Sequence, residues 1–167
     1  MEGAAWRWSF GASDSGIQRR GYSPDSDAYV ARARGYLAIK SGLDFNPQWS
    51  EEIVEEIGNR AESEFRSSGR RVTLIGHSLG GLQARSIAQR RPHAVRRLIM
   101  LGAPLTFAGG TVSPSVAITS IYVSTDLPDQ PGACESHAEN IEVKGSHGGL
   151  AVNRRVYAVL AGVLRRP

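Results

Sequence analysis

The chain has 167 residues, 41% of them hydrophobic and 22% charged, which suits one soluble domain with its own core. No apolar run approaches the roughly 18–20 residues of a membrane span, and one cysteine, Cys134, excludes an intramolecular disulfide. The net charge is 20 − 16 = +4, carried mostly by arginine, and no nucleic-acid-binding motif accompanies it. The pairs Arg70-Arg71, Arg90-Arg91 and Arg165-Arg166 fall at or just beyond expected helix ends, where cations complement the helix dipole.

Trp6 to Phe10 alternates large apolar residues with Arg7 and Ser9, as a short strand does. Residues 11–27 are polar, contain Pro24 and read as a long loop. A short helix is expected over about Asp27–Arg34, ended by Gly35, and Tyr36–Ile39 reads as a buried strand. Ser50 caps an amphipathic helix with Glu51 and Glu52 in its first turn and Ile53, Ile57, Ala61 and Phe65 on one face. Gly69 stops it.

Val72–Ile75 is the next strand, and the helix after it runs to the arginines before Pro92. Val95–Leu101 is a strand broken by Gly102-Ala103-Pro104. The Gly/Pro/Ser-rich segment Leu105–Ser115 is expected to lie over a site. Val116–Val123 and Glu139–Val143 are further strands, and a terminal helix spans about Val152–Leu164. Alternating strands and helices argue for a mostly parallel α/β sheet of about six strands, with helices on both faces. We find no repeat or dividing linker, so residues 1–167 are expected to form a single domain whose segment 1–27 is atypical, with poor order among the expectations for it.

Between the strand at Val72–Ile75 and its helix stands Gly76-His77-Ser78-Leu79-Gly80-Gly81. In the G-x-S-x-G spacing a tight turn strains the serine backbone and lifts its hydroxyl clear of the sheet. The glycines admit neighbouring backbone, and the amide of Leu79 is left to bind an oxyanion. A serine hydroxyl needs a base, histidine titrates near neutral pH, and a carboxylate on the other ring nitrogen fixes its tautomer. Ser78, Asp126 and His147 each follow a strand, and working residues gather at the carboxyl ends of parallel strands. Their nucleophile–acid–base order is the one associated with this turn.

His137 is the rival base, and Asp129 and Glu135 compete for the acid. His77 is expected to pack beside the sheet and His93 to be solvated. Leu105 and Phe107 are the candidate lining of an apolar acyl pocket. The histidines and cysteine lack metal-ligand spacing, and no Lys-Ser/Thr ending supports a phosphate loop, so no metal or cofactor is expected.

With these residues in view the chain resembles the α/β-hydrolase superfamily, specifically its bacterial lipase/esterase-like members. The resemblance spans about Tyr36–Leu164. It is carried by Val72–Gly81, by Leu101-Gly102-Ala103-Pro104, by Ile121–Asp126 and by Ala138–Leu150. It implies a serine hydrolase cleaving carboxylic esters through an acyl-enzyme, with Ser78, Asp126 and His147 as its triad and one oxyanion amide at Leu79. The N-terminal part departs from the family pattern, being shortened or divergent, and the second oxyanion amide would then come from near Gly11, in Phe10-Gly11-Ala12-Ser13. The same residues leave open a non-catalytic remnant acting as a binding module, or an acyltransferase using the triad. The expected partner is a small-molecule or lipid ester, with no nucleic acid and no membrane span. The N-terminus lacks an export pattern, so a cytoplasmic location is expected, and the sequence does not address oligomeric state.

Overall fold

Six parallel strands form one sheet in the order β2-β1-β3-β4-β5-β6. They are β1 (Ala5–Trp8), β2 (Ala38–Lys40), β3 (Val72–His77), β4 (Val95–Leu101), β5 (Ala117–Tyr122) and β6 (Glu139–Glu142). The protein is seen here as a computed structural model, which describes residues 5–8, 38–40, 49–105, 108–124 and 137–166. The expected loop at 11–27, the helix near Asp27–Arg34 and most of segment 1–27 lie outside the described residues.

The period-2 alternation of the central strands supplies two cores. Val72 and Leu74 of β3, Leu98 and Met100 of β4 and Ile118 of β5 face one side. There they meet helix α1 (Glu51–Ser68) and helix α2 (Leu79–Arg90). Ile75, Ile99, Leu101 and Ile121 face the other side and meet Val156, Leu160 and Val163 of helix α3 (Arg154–Val163). Helices therefore cover both faces, as the alternation of elements predicts. None of the helices among the described residues is long and apolar enough to cross a membrane.

A register shift places Val72 opposite Val95 but Thr73 opposite Arg97, so Arg96 is an extra residue in β4. The shift explains why Val95 and Leu98, three apart, share a core. It also turns Arg97 toward α3, where it is 4% exposed and donates to Val163 O at 2.7 Å and Arg166 O at 3.2 Å. A buried guanidinium thus donates to carbonyls at and just beyond the C-terminus of α3.

Ser50 caps α1 by accepting from the Ile53 amide at 3.3 Å, and Gly69 closes it in the left-handed region at φ 67°. The buried face of α1 is Val54, Ile57, Gly58 and Ala61. The expected stripe is therefore rotated: Ile53 and Phe65 lie at its partly buried edge. Arg90 and Arg91 stand at the end of α2 as expected, and their side chains also reach a neighbouring helix. Arg90 pairs with Glu51 and with Glu55 at 3.0 Å, and Arg91 reaches Glu55 at 2.6 Å and Asn59 at 2.9 Å. Both tie the end of α2 across to α1. Arg71 donates to Pro92 O, Val95 O and Ser115 O, pinning loops rather than a helix end.

Candidate active site

The carboxyl edge of the sheet is laced strand to strand by backbone hydrogen bonds beyond the ladders. Ser78 N donates to Leu101 O, Gly102 N to Ile121 O and Val143 N to Tyr122 O, each at 2.8 Å. The turns after β3, β4, β5 and β6 consequently leave the sheet side by side, at one edge. Parallel pairing is the reason sequence-distant residues can meet there.

Ser78 sits at the apex of the β3–α2 turn with φ 53° and ψ −127°. It is the one non-glycine residue among those described with positive φ. Such a conformation costs about 1–3 kcal/mol and persists because its surroundings dictate it. The surroundings are the glycines. A Cβ on Gly76 would lie 2.6 Å from the Gly80 carbonyl carbon and 2.7 Å from Gly81 Cα. A Cβ on Gly81 would lie 2.8 Å from Ala103 Cβ. Only bare backbone lets α2 turn back this closely over its own strand.

His147 comes to the same point from the loop after β6. Its Nε2 lies 2.9 Å from Ser78 Oγ, and both side chains are partly exposed. The loop is held at both ends. Leu150 N donates to His147 O at 3.1 Å, and Asn153 Nδ2 donates to Lys144 O at 2.9 Å. Asn153 also caps α3, its Oδ1 accepting from Arg155 N at 2.9 Å. That cap, behind a single 3-10 turn at Leu150–Val152, starts α3 later than the apolar pattern suggests. Gly102, at φ 60°, borders the histidine ring: a Cβ there would stand 3.0 Å from Nδ1 and 3.1 Å from Cε1.

His77 occupies the variable position of the turn and is 3% exposed. Its Nε2 lies 3.0 Å from the His147 carbonyl oxygen, and the two rings are 5.2 Å apart, centre to centre. The expectation that it packs beside the sheet is too modest, since the side chain reaches the loop that carries His147. No spacing rule signals such a contact. It appears only once β6 is placed beside β5.

The rival histidines stand elsewhere. His137 is exposed just before β6, and His93 precedes β4 with 56% side-chain exposure, 3.7 Å from Glu62. Both lie at the amino ends of parallel strands, the opposite edge from Ser78. Asp126, Asp129 and Glu135 lie outside the described residues, as do Gly11, Phe107 and Cys134. Leu105 is 7% exposed within the core under α2. Its neighbours Pro104 and Ala108 instead line a cleft of about 560 Å³ beside α2, with Trp49, Leu79, Leu82, Arg85, Ser86 and Gln89. Among the described residues no group of three or more His, Cys, Asp or Glu side chains is arranged to hold a metal ion.

A strand, a strained serine turn, a glycine-packed helix and a histidine one loop beyond the last strand define a class, and the comparisons agree with it: this chain has the alpha/beta hydrolase fold. Residues 66–120, which contain the serine turn, match the sequence model for that fold. A Xanthomonas campestris protein proposed to be a hydrolase of the alpha/beta superfamily superposes with a TM-score of 0.72 at 17% identity, over 99% of each chain. A lipase-esterase related protein from Clostridium acetobutylicum superposes at 0.63 and 13% identity, over 96% of this chain and 93% of that one. An alpha-beta serine hydrolase homologue from Coxiella burnetii gives 0.62 at 13%, over 98% and 83%. No curated protein matches the chain in sequence.

Proposed function

We propose that this protein is a serine hydrolase that cleaves carboxylic esters through an acyl-enzyme on Ser78. The observation that carries the reading is the 2.9 Å contact between Ser78 Oγ and His147 Nε2 at a backbone strained to φ 53°. Nε2 takes the hydroxyl proton as Oγ attacks the ester carbonyl, then returns it to the departing alcohol. Water, activated by the same nitrogen, releases the acid and restores the serine. Asp126, four residues beyond the end of β5, serves as the acid that orients His147 through Nδ1.

The tetrahedral oxyanion is held by the Leu79 amide, which lies in the first turn of α2 where amides lack intrahelical acceptors. A second donor near Gly11 fits the register, because Trp8 pairs with Gly76 and the chain leaves β1 at the edge where Ser78 stands. The acyl chain is assigned to the cleft beside α2, whose apolar part is Leu79, Leu82, Pro104 and Ala108.

Turnover of p-nitrophenyl esters, with the acylated Ser78 peptide trapped and weighed, tests the reading. Hydrolysis should fall by about 10³-fold or more in His147→Ala. Undiminished turnover in that variant would remove the assigned base. Asp126→Asn should be similarly impaired and Asp129→Asn should not; the reverse pattern moves the acid to Asp129.

A further inference from the structure

We infer that His77 is a positioning residue that holds the catalytic base in place by its main chain. Adjacent residues of the β3 exit take hold of His147 at two points. Ser78 Oγ meets the imidazole at Nε2, and His77 Nε2 meets the carbonyl oxygen of the same residue at 3.0 Å. A carbonyl can only accept, so His77 Nε2 carries the proton and donates. The carbonyl accepts a second hydrogen bond from Leu150 N at 3.1 Å, which occupies both lone pairs. With Gly102 bordering the ring on its Nδ1–Cε1 edge, the base is bounded on its main chain, its reactive nitrogen and its flank.

Backbone turns alone do not achieve this. The Leu150 bond closes the His147 loop on itself, and the Asn153 bond ties it to α3. The His77 bond joins that loop to the strand bearing the nucleophile, so it fixes the distance between base and nucleophile. His77 is 3% exposed, so its bond does not compete with bulk water, and losing it leaves an acceptor in low-dielectric surroundings. A displacement of about 1 Å at such a point costs on the order of 10²-fold in rate. The inference rests on the hydrolase reading for this consequence, though not for the contact itself.

Three variants separate donation from bulk. His77→Gln keeps an N–H near the ε position, whereas His77→Met and His77→Phe keep apolar volume without a donor. Each is compared with wild type by thermal unfolding, by kcat and KM for one ester, and by the ¹⁵N resonances of the His147 ring. We expect kcat to drop roughly 10–100-fold in the Met and Phe variants with KM little changed, and His77→Gln to restore most of it. The His147 ring should give one resonance set in wild type and His77→Gln, and broadened or shifted signals in a folded donor-less variant. Unchanged His147 resonances in either folded donor-less variant would overturn the inference, as would a Gln variant no better than Met. The resonances report on the clamp even if the wild type hydrolyses no ester, an outcome that would fail the hydrolase reading alone.

Discussion

Ser78 is held in a conformation that a serine does not choose for itself. The strain sits on the residue whose hydroxyl is aimed at His147, and glycine packing at Gly76 and Gly81 enforces it. A glycine adopts φ 53° at little cost. Ser78→Gly should accordingly be more stable than Ser78→Ala by about 1 kcal/mol, although both lack the proposed nucleophile. Denaturant titration of the two variants checks this, and equal midpoints would mean that the turn stores no strain. The strained serine turn was legible in sequence because its glycines and its strand-to-helix context leave local marks. His77 was not, because its partner lies 70 residues away and the contact depends on the pairing of β5 with β6.

At the scale of elements, local chemistry wrote its boundaries clearly. The Ser50 cap, the Gly69 stop and the full extent of β4 are all readable in the chain. Roles that depend on a neighbouring element were harder to read. The apolar face of α1 turned by about one residue because α2 and β3 decide which side is covered. Arg90 and Arg91 found the carboxylates of α1, while Arg97, hidden in a strand by the β4 register shift, joined the expected Arg165 as a cation at the end of α3.

The α1–α2 tie has a consequence for acid stability. Glu55 is held below its ordinary value near 4.5, chiefly by the hydrogen bond from Arg91 and then by that from Arg90. A carboxyl depressed in the folded state contributes fully above its unfolded pKa and loses that contribution as pH falls through the folded one. The difference in melting temperature between wild type and Glu55→Gln should therefore be largest near pH 6 and shrink as pH drops below about 4.5. A difference that stays constant down to pH 3 would show that the carboxylate charge contributes nothing to the tie.

For the molecule as a whole, parallel pairing brings four strand exits to one edge and leaves the rival histidines at the other. The class of fold followed from the alternation of elements alone. The shape of the cleft proposed for the acyl chain did not. The apolar loop residue Leu105 went into the core, while the cleft formed between its flanking residues and one stripe of α2, Leu79, Leu82 and Ser86. That stripe repeats at helical spacing, and along it the cleft extends away from Ser78. Filling it should shorten the accepted acyl chain. Ser86→Trp is expected to lower kcat/KM for octanoyl and longer esters by roughly 10-fold and to leave acetyl esters near wild type. Equal losses for all chain lengths would take the acyl group out of this cleft.

The central claim is that Ser78 is an activated nucleophile. A fluorophosphonate probe reads that property directly, since it phosphonylates a serine whose proton a neighbouring base removes. The account predicts stoichiometric labelling of the folded protein, mapped to the peptide bearing Ser78, abolished in Ser78→Ala and strongly slowed in His147→Ala. A folded wild-type protein that takes up no probe, or takes it up at another residue, would contradict it.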